Sequence, residues 1–229
     1  GFLWRLLPLC PHDRLSTVGV AYGRTLKARN ADFSVDKVLR KAELELSNLQ
    51  LAWVLQGVTA VASLDQFETL METCKSLAQL GDPEVRFTAL RGVRTLICRL
   101  ENCDSHQPPI QNLVSDTLNM VLVAWENPPS RKLASSVAVL FKNLVELMLK
   151  LEDATARTFH DLVDRLLTLP RNQKGRYLAL EILLPISGAK RLLLDNDDLL
   201  QDLVDGIGNI GHNTGAMADL WAKLLHQLL

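Results

Sequence analysis

The chain has 229 residues, 48% of them hydrophobic and 22% charged, with 25 Lys and Arg against 26 Asp and Glu for a net charge of −1. That balance excludes a globally basic nucleic-acid binder or a polybasic membrane-surface protein, so any such contact has to come from a local patch. Aromatics are only 5% of the chain and Leu carries the apolar load, which favours helices over sheets.

The opening Gly1-Phe2-Leu3-Trp4-Arg5-Leu6-Leu7-Pro8 is apolar but short, is interrupted by Arg5 and lacks a preceding basic region, so it does not read as a signal peptide. It reads as part of a longer chain, its apolar start packing on a preceding helix. No run approaches the ~18–20 apolar residues a membrane span needs. Four irregularly spaced cysteines, Cys10, Cys74, Cys98 and Cys103, are too few for a disulfide framework and fit a reducing compartment.

From Val35 onward apolar residues recur at spacings of three and four. Val38, Leu39, Ala42, Leu46 and Leu49 form one stripe, and Phe67, Leu70, Met71, Cys74, Leu77 and Ala78 form another. Turn signals separate the stripes at 81–83, 102–109, 127–129, 169–172, 188 and 209–213. The predicted helices in chain order are 14–28, 35–48, 49–63, 66–80, 83–101, 110–126, 130–151, 154–169, 172–187, 196–208 and 213–228. Short connections make sequential helices antiparallel neighbours. At one start, Asp82 is placed to accept hydrogen bonds from unpaired amides, and Pro83 suits the first helical position.

The helix starts repeat. Asp82-Pro83-Glu84-Val85-Arg86 is followed by starts at Asn127, Asn172 and Asn213, which are 45, 45 and 41 residues apart. That is the ~40–47 residue period of HEAT and armadillo units. The Asp-Pro turn, then Val, Arg and a small residue, resembles the second helix of a HEAT repeat, whose Arg commonly pairs with an Asp of the adjacent unit. The expected fold is therefore all-α, a HEAT/armadillo-like α-solenoid of antiparallel helix pairs, with residues 1–229 a single continuous segment.

Three motifs suggest chemistry, and their context withholds it. Gly206-Ile207-Gly208-Asn209-Ile210-Gly211 spells G-x-G-x-x-G, but a helical stretch rather than a strand precedes it and no acidic residue follows about twenty positions on. Cys98, Cys103 and His106 lack the second ligand pair that structural zinc needs, and Cys98 continues a core stripe with Val93, Leu96 and Ile97. His160 lies among Arg157, Asp161, Asp164 and Arg165, which reads as a salt-bridged surface. No catalytic, metal-binding or cofactor-binding residue is assigned, and no enzyme activity or cofactor is expected.

Basic residues follow the repeat starts: Arg86, Arg91 and Arg94, then Arg131 and Lys132, then Arg171, Lys174 and Arg176. Stacked repeats would bring these onto one edge as a positive ridge facing phosphate, with Arg131, Lys132, Arg171, Lys174 and Arg176 the candidate phosphate-binding set. The simpler account is that each neutralises Glu84, Glu126 or a neighbouring Asp on an ordinary charged surface. No arginine–aromatic interleaving of the kind that binds single strands accompanies them.

Trp125-Glu126-Asn127-Pro128, Phe141-Lys142-Asn143-Leu144 and Lys174-Gly175-Arg176-Tyr177 with Leu180-Glu181, in that order, resemble the thyroid-adenoma-associated protein family over roughly residues 120–229. Ala189 to Leu194 and the following acidic turn are also similar. The resemblance implies an internal fragment of a long, cytosolic, HEAT/armadillo-like protein. It implies a non-catalytic accessory subunit of an FtsJ-type methyltransferase that 2′-O-methylates nucleotide 32 of tRNA. The implied partners are that enzyme, which brings S-adenosylmethionine and the catalytic residues, and tRNA. The alternative is a generic solenoid adaptor for another protein, such as an ER calcium-pump or transport factor.

Overall fold

The structure, a computed structural model, describes residues 9–11, 14–29, 34–100, 109–126, 131–150, 155–170, 173–185, 197–208 and 215–229. The described residues form eleven α-helices and no strand. They are α1 (Leu15–Arg29), α2 (Val35–Glu45), α3 (Asn48–Thr59), α4 (Phe67–Ala78), α5 (Pro83–Leu100), α6 (Pro109–Glu126), α7 (Arg131–Lys150), α8 (Thr155–Thr168), α9 (Lys174–Leu183), α10 (Asp197–Gly208) and α11 (Gly215–Leu228). The fold is all-α and built of packed helix pairs. It divides into two compact units, Gly1–Met120 and Val121–Leu229, with the division falling inside α6.

Helix starts follow local chemistry. Asp82 accepts from the amides of Glu84 (2.8 Å) and Val85 (3.3 Å), and α5 begins at Pro83. Ser47 and Gln50 form a reciprocal capping box, which starts α3 and separates it from α2. The predicted helix 172–187 is shorter: α9 stops at Leu183 because Pro185 has no N–H to offer the Glu181 carbonyl. The predicted 49–63 likewise ends at Thr59, whose hydroxyl bonds the Gln56 carbonyl at 2.8 Å.

In the first unit α2 packs on α3 and α4, α4 on α5, and α3 on both α1 and α5. The α1–α3 crossing is the tightest. A Cβ at Gly57 would collide with the backbone of Gly19, and one at Gly19 with the Trp53 carbonyl. Only hydrogen at these α-carbons lets the two backbones touch. The core beneath includes Leu51, Val54, Leu55, Leu70, Cys74, Leu96 and Ile97. Burial pushes the Cys74 thiol above its ordinary range, so it behaves as a small apolar core group. Within this unit Lys75 of α4 pairs with Asp116 of α6 at 3.0 Å while also holding Glu72 at 2.8 Å.

In the second unit α9 is central, packing on α7, α8 and α11, while α10 packs on α11. Edge-to-face aromatic pairs fill the core: Trp125 against Phe141 at 5.5 Å, and Tyr177 against Trp221 at 5.7 Å. Gly175 meets α6 closely, its Cβ position lying 3.3 Å from the Leu122 carbonyl oxygen. Lys223 of α11 pairs with Glu181 of α9. No described helix is long and apolar enough to cross a membrane.

Candidate nucleic-acid interface

The basic residues at the repeat starts fall into different environments. Arg86 is half-buried. Its Nε donates to the Ala78 carbonyl and its Nη2 to the Leu80 carbonyl, both at 3.1 Å. Among the described residues Arg86 caps the α4 C-terminus rather than pairing with an Asp, the partner expected for a HEAT-type arginine. Arg176 stands four residues after its repeat start, as Arg86 does. It is only 3% exposed and its Nη1 donates to the Leu169 carbonyl at 3.2 Å, just past the end of α8.

Arg99, outside the ridge set, uses the same device. Its guanidinium lies over the Phe67 ring and donates to the carbonyls of Thr59 (2.6 Å) and Ala62 at the end of α3. The physics is common to all three. The last carbonyls of a helix lack partners within it and carry the negative end of its dipole, and a guanidinium fork satisfies both.

Burial withdraws Arg176 from the candidate tRNA-binding set, because a phosphate has no access to a guanidinium enclosed by protein. Arg131 and Lys174 sit differently, as the first residues of α7 and α9. Arg131 is exposed and Lys174 partly so. Neither helix has an acidic residue in its first turn, whereas Glu84 occupies that turn in α5. A cation at the positive end of a helix dipole is locally unfavourable, and an approaching anion relieves it. Lys132 belongs to the first turn of α7, its side chain lying outside the description, and Arg171 lies outside the described residues altogether.

Arg94 is exposed. Arg91 lies 5.6 Å from the Trp53 ring centre and 5.8 Å from that of Phe87. The sequence offered no arginine–aromatic interleaving, yet the fold assembles one from α3 and α5. Phe87 and Arg91, four apart on one helix, were the available half of the signal; Trp53 arrives by tertiary packing.

The other motifs also find their places. Gly206 and Gly208 lie in the last turn of α10, so a helix and not a strand leads into them. Residues 209–211 lie outside the described set, as do Cys103 and His106. Cys98 is half-buried rather than a core residue. Among the described residues no group of His, Cys, Asp and Glu is arranged to hold a metal ion.

Several residues of the strings that carry the family resemblance are packing residues. Trp125 and Tyr177 are each 1% exposed, and Phe141, Leu144 and Leu180 are buried beside them. Glu181 is the partner of Lys223. Compared with family models, curated proteins and solved structures, the chain matches none.

Proposed function

We propose that the chain is a segment of a HEAT/armadillo-like α-solenoid, of the kind the thyroid-adenoma-associated family resemblance implies, acting as a non-catalytic scaffold. Its task is to hold tRNA against an FtsJ-type methyltransferase for 2′-O-methylation of nucleotide 32. The solenoid reading is supported by packing between helices one and two steps along the chain in each unit, and by the 45-, 45- and 41-residue spacing of the repeat starts in the sequence. Positioning alone contributes large rate effects when reactants are held in attack geometry, so a scaffold needs no reacting side chain of its own.

The observation that carries the RNA half is the pair of cationic helix starts, Arg131 on α7 and Lys174 on α9, with Lys132 beside the first. Contacts of this type go to phosphates and shape, the usual mode for structured RNA. The adaptor alternative draws support from a different fact: Arg86 and Arg176 are spent on helix ends, which thins the ridge.

Pull-down of the tagged chain from cell extract, with and without RNase, separates the two. The scaffold reading expects an FtsJ-type enzyme together with tRNA. Recovery of neither, with a transport or pump component in their place, overturns it.

A further inference from the structure

We draw no further inference here: the strongest candidate, the open groove between α1, α3 and α5 that Arg24 and Arg91 line, carries nothing, because two arginines alone commit to no single occupant and nothing in the structure shows what covers them.

Discussion

The two units solve the same packing problem by opposite means. In the first, α1 and α3 touch backbone to backbone through Gly19 and Gly57, and the contact exists because side chains are missing. In the second, large rings fill the space: Trp125 on Phe141 and Tyr177 on Trp221. A crossing made of glycines tolerates no added atom, whereas a core made of rings tolerates no deletion. Both units, however, close helix C-termini with an arginine, Arg86 and Arg99 in one and Arg176 in the other.

The sharpest way to break this comparison is Trp125→Ala, which should cost about 3–5 kcal/mol in urea unfolding because it empties a fully enclosed ring site. A loss below about 1 kcal/mol would mean the ring is not part of a tight core. Gly57→Ala should cost about 1–3 kcal/mol through overpacking, although Ala is the better helix former. A gain in stability there would show that α1 and α3 do not touch as described.

Next comes a paired test of the arginines. Arg176→Ala should lose about 1–3 kcal/mol by stranding the Leu169 carbonyl, while exposed Arg131→Ala should stay within about 0.5 kcal/mol and reduce RNA affinity instead. Equal stability loss in both would dissolve the distinction between capping and surface arginines.

The smallest effect belongs to Lys75. Hydrogen bonds to Glu72 and then Asp116 raise its pKa, so the fold favours its charged form. Its contribution is therefore present below the ordinary lysine value of about 10.4 and is lost as pH rises through the higher folded value. Lys75→Met should cost under about 1 kcal/mol at neutral pH, since the pair is partly exposed, and the gap to wild type should close in alkaline unfolding series.

Much of this fold was legible in residue spacing. The eleven described helices overlap the spans that apolar spacing and turn signals predict, with ends differing by up to a turn, and Asp82-Pro83 announces its helix start as capping chemistry requires. The capping box Ser47-Asn48-Leu49-Gln50 is equally legible, and it places the α2–α3 boundary a few residues before the expected one. The destinations of the arginines were not. Whether Arg86, Arg99 or Arg176 meets a phosphate, a carboxylate or a carbonyl depends on where the preceding helix ends in space, which spacing along the chain does not encode. The Gly19–Gly57 crossing is of the same kind: Gly19 and Gly23 hint at a smooth helix face, but their partner lies more than thirty residues away.

The central claim, a scaffold for tRNA methylation, is tested most directly by mapping 2′-O-methylation at nucleotide 32 in tRNA from cells lacking this gene. The account predicts loss of that methyl group and its return when the gene is restored. Unchanged methylation would contradict it.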